Sequence, residues 1–355
     1  MALALSILDQ STIASGRGAD AAIRESLALA QYADRLGYAR YWLAEHHNSD
    51  SHAGSAPEIL IAAIAATTQR IRIGSAGVML PHYAALKVAE QFRVLEAIAP
   101  GRIDLGLGRA PGSDGRTAYA LNPAAAQAGA DRFPAQVQEV LGWLGEGLPV
   151  NHPFAAVRAQ PEVPTRPQVW MLGSSEYGAQ LAGYLGLPYC FAHFITDGGG
   201  AEVALAQYRQ SFRALPDRLD APHAALAVFA LCAETEAEAQ RHFSSRALWR
   251  LSRDRGIYPP LPTPEEAAAH PYSEAERQKI ERMQARAILG TPEVVRARLE
   301  ALAEELGAQE VAVLTPVHDP AARRDSVRLL AGAFGLPGAG DQAPGQPLGQ
   351  PPGQP

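Results

Sequence analysis

Eight short apolar runs recur along this chain, and most are followed by a segment with helical periodicity. Leu3 to Leu8 reads as a strand. The helix after it runs from Asp20, a good N-cap, to Gly37, suited to the position after a helix end, with Ile23, Leu27, Ala30 and Leu36 on one face. The pattern repeats with strands at Tyr41 to Ala44, Ile71 to Val78, Arg102 to Gly108, Gln168 to Leu172, Pro188 to His193, Leu226 to Cys232 and Val311 to Leu314. Eight such units in 355 residues predict a parallel (β/α)₈ TIM barrel rather than an open doubly wound sheet. The regular spacing fails between the seventh and eighth strands, where a long insertion includes the proline-rich stretch 252–275, expected to be a functional lid or disordered. The domain is expected to span 1–335. A tail over 336–355, rich in Gly, Pro and Gln from Pro337 to Pro355, is expected to be disordered.

Charge and cysteine usage narrow the function. A net charge of −6 without a basic block argues against nucleic acid as a partner. Cys190 and Cys232 each sit inside an apolar run, which fits buried thiols in a reducing compartment. No stretch offers the ~20 uninterrupted apolar residues of a membrane span. The opening residues lead into Asp9 with no basic stretch before them, unlike a signal peptide, so the expected location is cytoplasmic.

The second strand carries the sharpest chemical signal: Tyr41-Trp42-Leu43-Ala44 runs into Glu45-His46-His47-Asn48. An apolar strand that ends in titratable groups marks the catalytic end of a barrel. Strand neighbours point to opposite faces, so His46 and His47 do not aim at one metal ion, and no His-x-His pair is present. No metal is expected. Histidine is instead the side chain suited to moving a proton near neutral pH.

The fourth strand contains Gly106-Leu107-Gly108-Arg109 without a helix directly after it, so the dinucleotide fingerprint does not hold. Its glycines either admit a planar ligand, with Arg109 supplying charge to an anion, or narrow a barrel strand. The fifth strand ends in Gly173-Ser174-Ser175 before a helix, either an anion site or a simple N-cap. Small residues at Gly74-Ser75-Ala76-Gly77 leave room for a ring system or reflect barrel packing. One phosphate site beside a flat-ligand strand suggests a mononucleotide-like cofactor.

These segments, taken in order with Ser6 to Ser11 and Val313 to Asp319, resemble the luciferase-like monooxygenases, flavin-dependent (β/α)₈ enzymes, over about residues 1 to 335. The resemblance implies FMN, bound reduced and supplied by a separate NAD(P)H-dependent flavin reductase. Its ring would lie against Ala76-Gly77, where the family often has a cis non-proline bond. Gly108 would be near the ring, with the phosphate held by Arg109, Gly173, Ser174 and Ser175. His46 matches a histidine beside the flavin that assists proton transfer while O₂, through a C4a-peroxyflavin, oxygenates a small organic substrate such as an aldehyde or other carbonyl compound. Where luciferase has a reactive cysteine this chain has Gly108, which implies a roomier or wetter pocket there. The resemblance also implies a homodimer. Rival readings stay open: a relative using the deazaflavin F420 for hydride transfer, a flavin-binding protein without turnover, and a metal-dependent hydrolase.

Overall fold

The computed structural model describes residues 3–124, 132–145 and 147–339. Its strands are β1 (Ala4–Asp9), β2 (Arg40–Leu43), β3 (Arg72–Met79), β4 (Ile103–Gly108), β5 (Gln168–Gly173), β6 (Tyr189–Phe191), β7 (Ala224–Cys232), β8 (Ile288–Gly290) and β9 (Glu310–Leu314). All pairings among them are parallel. β1 through β7 pair in sequence order, and β9 joins β7 to β1, so eight strands close a (β/α)₈ barrel. β8 stands outside the ring and extends the far end of β7 through Ala230 to Cys232.

Strand alternation sorts the side chains. Leu8, Trp42, Trp170, Cys190, Ala227 and Ala312 fill the barrel interior. The intervening Ile7, Tyr41, Leu43, Leu105, Val169 and Val313 face the helices. At the strand starts the interior turns polar: Arg40 donates to Asp104 at 2.7 Å and to Glu310 at 3.0 Å, Arg72 reaches Asp104 at 2.6 Å, and Trp42 Nε1 donates to Asp104 at 3.0 Å. This layer of paired charges closes the bottom of the barrel, leaving the opposite mouth for function.

The small residues of β3 and β4 have a specific structural cause. A Cβ on Gly74 would lie 2.3 Å from the Asp104 carbonyl oxygen, and one on Gly106 would lie 2.1 Å from that of Ser75. The two strands approach too closely for side chains there. The register shifts between Ser75 and Val78, and the Ser75 hydroxyl bridges the gap, donating to Gly106 O at 3.0 Å and accepting from Gly106 N at 3.1 Å.

Two local expectations change. Asp20 is not the N-cap; Gly18 holds that position, and Asp20 sits in the first turn of helix Ala19–Leu36, paired with Arg24 at 2.7 Å. The stretch 252–275 is ordered, not disordered. It contains the helix Pro264–Ala269, opened by a Thr263–Glu266 capping box, and a second such box at Ser273–Glu276 starts helix Glu274–Arg286. Leu261 docks this insertion onto the loop after β1, donating to Ile13 O at 2.7 Å and accepting from Ser15 N at 2.8 Å. Of the expected tail, residues 340–355 lie outside the described residues, while Gly338 N donates to Leu36 O at 3.3 Å. Among the described residues no helix is long and apolar enough to cross a membrane.

Candidate active site at the barrel mouth

A cavity of about 670 Å³ opens at the C-terminal ends of the strands. All eight residues expected from the sequence line it: His46, Ala76, Gly77, Gly108, Arg109, Gly173, Ser174 and Ser175. Its volume falls in the range of roughly 300–1,000 Å³ usual for small-molecule sites.

Trp42 and Ala44 pack in the barrel interior, and beyond the end of β2 the residues Glu45, His46 and His47 all border the cavity. Glu45 is buried and its carboxylate accepts from Tyr83 Oη at 2.7 Å and from the Met79 backbone N–H at 3.0 Å, with His47 Nε2 also 2.7 Å away. It therefore ties the end of β2 to the end of β3. Burial, then the Glu45 charge, pushes the Tyr83 hydroxyl well above its ordinary pKa, so it stays a donor.

His46 lacks such a partner. Its Nδ1 is buried and unpaired among the described residues. Burial, then the positive charge of Arg253 and then His47, lowers its pKa to about 4, so the ring is neutral near pH 7. It stacks on His52 with centroids 4.2 Å apart, and His52 meets the edge of Trp249 at 5.5 Å. Sequence reading missed His52, Trp249, Arg253 and Tyr258. Trp249 and Arg253 sit one helical turn apart on the insertion helix Glu236–Asp254, a spacing visible in the sequence, but nothing local says which strand end they will cover.

The β4 and β5 ends form the other side. The Arg109 guanidinium lies 4.3 Å from the Tyr177 ring centroid, a cation–π contact that holds it over the first turn of helix Glu176–Tyr184. Ser175 is the N-cap of that helix, its hydroxyl accepting from Gly178 N at 3.5 Å. Between the two sides runs β3, where the Ala76–Gly77 peptide bond is cis. At Gly108 a Cβ would lie 2.9 Å from Met79 Cε, the far end of a flexible side chain. Cys190 contributes to the floor as a buried thiol whose pKa burial raises.

Residues 3–310 match the family model described as luciferase-like monooxygenase. The chain belongs to this family. Its relatives include the protein YwcH of Bacillus subtilis, 46% identical and covering 94% of this chain and 99% of that one. The N-acetyl-S-alkylcysteine monooxygenase of the same organism is 39% identical, covering 93% and 97%. Among solved structures, apo-MsnO8 superposes with a TM-score of 0.85 at 38% identity, covering 94% of this chain and 98% of that one. The oxygenating constituent of 3,6-diketocamphane monooxygenase from Pseudomonas putida, solved with FMN, shares the fold with a TM-score of 0.67 at 20% identity, covering 93% and 97%. As a luciferase-like monooxygenase, the protein is an oxidoreductase that incorporates molecular oxygen.

Proposed function

We propose that this luciferase-like monooxygenase takes reduced FMN from a separate NAD(P)H-dependent flavin reductase and uses it with O₂ to oxygenate a small organic substrate, possessing a carbonyl group or an equally oxidisable centre. The observation that carries the reading is the two-sided mouth. Arg109 sits over a helix N-terminus on one side, and a neutral, unpaired His46 sits on the other. Arg109 and the Gly173-Ser174-Ser175 turn would hold the phosphate, where guanidinium charge, backbone N–H groups and the helix dipole act together. Ala76 and Gly77 would support the ring, with Gly108 beside it.

When bound, reduced flavin supplies the activation of O₂; the protein supplies placement, dryness and a proton path. His46 is neutral at working pH and can pass a proton rather than store one. An anion bound beside it would raise its pKa back toward neutrality and make the transfer easier. Glu45 and His47 act as supports, locked to Met79 and Tyr83. We place the enzyme in the cytoplasm as a homodimer, in keeping with its family and its two buried, free cysteines.

Oxygen uptake tests this. The protein, given reduced FMN and air, should yield label from isotopic O₂ in an added organic substrate. Turnover with reduced F420 and no oxygen uptake would replace this reading with hydride transfer. Flavin binding that His46→Ala leaves without any effect on oxygen chemistry would point to a binding protein.

A further inference from the structure

We propose that Arg253 anchors a carboxylate of the organic substrate, so that the enzyme oxygenates small organic acids; this rests on the flavin-dependent reading above. Arg253 lines the cavity from the insertion, together with Tyr258. Its guanidinium packs over the Trp249 ring at 4.9 Å and lies 5.9 Å from the Tyr258 ring centroid. It is half-buried, yet among the described residues it has no carboxylate within salt-bridge distance and no hydrogen-bond acceptor.

The neighbouring charges sharpen the point. Arg246, Arg250 and Arg253 follow one another on the same helix, and Asp197 is 3.9 Å from Arg246 and 3.6 Å from Arg250. Arg250 also donates to Phe194 O at 3.1 Å, fixing the turn after β6. Asp254, next in sequence, is engaged by Lys279 at 2.6 Å. Arg253 thus carries the uncompensated positive charge at this side of the mouth, and the rings it faces there, His46 and His52, are neutral. A partly desolvated guanidinium without a counter-ion is costly, and an anionic ligand relieves the cost.

The cofactor phosphate is not that ligand, because the ring order separates the two sites. Arg109 and Ser174 sit at the ends of β4 and β5, whereas the insertion leaves β7 and docks on the loop after β1, across the barrel. A substrate bound between them would meet His46. Its carbon skeleton has apolar surface waiting: Ile195 and Tyr258, each about half exposed at 50% and 51%, flank the opening with Phe194.

Hexanoate and its uncharged counterpart hexanamide test the assignment, read by quenching of tryptophan fluorescence, since Trp249 lies under Arg253. Wild type should bind hexanoate at least about tenfold more tightly than hexanamide. Arg253→Gln should erase that preference and Arg253→Lys should keep most of it, with the Kd for reduced FMN within about twofold of wild type in both. Equal affinity for the two probes in wild type, or a preference that survives in Arg253→Gln, overturns the proposal. A tenfold loss of FMN affinity in Arg253→Gln also overturns it, since the guanidinium would then serve the cofactor. If wild type shows the hexanoate preference but binds no FMN, the flavin reading fails and the carboxylate anchor stands.

Discussion

The imidazoles of His46 and His52 stack with centroids 4.2 Å apart and planes 14° from parallel. Neither ring tolerates a proton well there. Burial and the other positive groups nearby hold His46 at about 4 against an ordinary 6.5, and burial with His46 moves His52 in the same direction. Between pH 6.5 and about 4 the unfolded chain therefore binds protons that the folded pair refuses. The stabilisation is fully present above pH 6.5 and is lost as pH falls toward 4, on the order of 3 kcal/mol for His46. Denaturant midpoints measured across this window should fall with pH, and fall less steeply in His46→Gln and in His52→Gln.

Glu45 joins two strand ends through one carboxylate. Glu45→Gln keeps the shape but replaces one acceptor oxygen by a donor, leaving Tyr83, His47 and the Met79 N–H to compete for what remains. A loss of about 2–3 kcal/mol is expected, read as a lower thermal midpoint. The Tyr83 hydroxyl should also titrate at lower pH in the variant, visible by ultraviolet absorbance, because the adjacent negative charge is gone.

At the barrel base, Asp104 is fully buried and shared by Arg40, Arg72 and Trp42. Asp104→Asn removes the charge that compensates two guanidinium groups. Chemical denaturation should show a loss of about 3–5 kcal/mol. Affinity for reduced FMN should hold in whatever fraction stays folded, since this layer lies at the end of the barrel away from the cavity.

Arg109→Ala should weaken reduced FMN by about tenfold or more, corresponding to 1.4 kcal/mol or above. Tyr177→Leu should weaken it less, because it removes the ring that positions the guanidinium but not the guanidinium itself. Fluorescence or absorbance titration under anaerobic conditions reads both.

Much of this was legible in the chain because periodicity survives folding. The alternation of Trp42 and Ala44 against Tyr41 and Leu43 already states which side chains of β2 meet the barrel axis. The glycines were legible as a pattern but not as a cause: Gly74 and Gly106 serve the close approach of β3 to β4, a contact between residues far apart in sequence. The insertion was least legible. Its prolines suggested a loop, yet Thr263-Pro264 and Ser273-Glu274 start helices, and nothing local says that Leu261 docks at Ile13. Helix capping is written locally, whereas docking between distant segments is not.

Anaerobic equilibrium titration of the purified full chain with reduced FMN tests the central claim most directly. Saturable binding of one FMN per chain is expected, and weaker binding by Arg109→Ala. Absence of saturable binding in the wild type, or affinity that Arg109→Ala leaves unchanged, would contradict it.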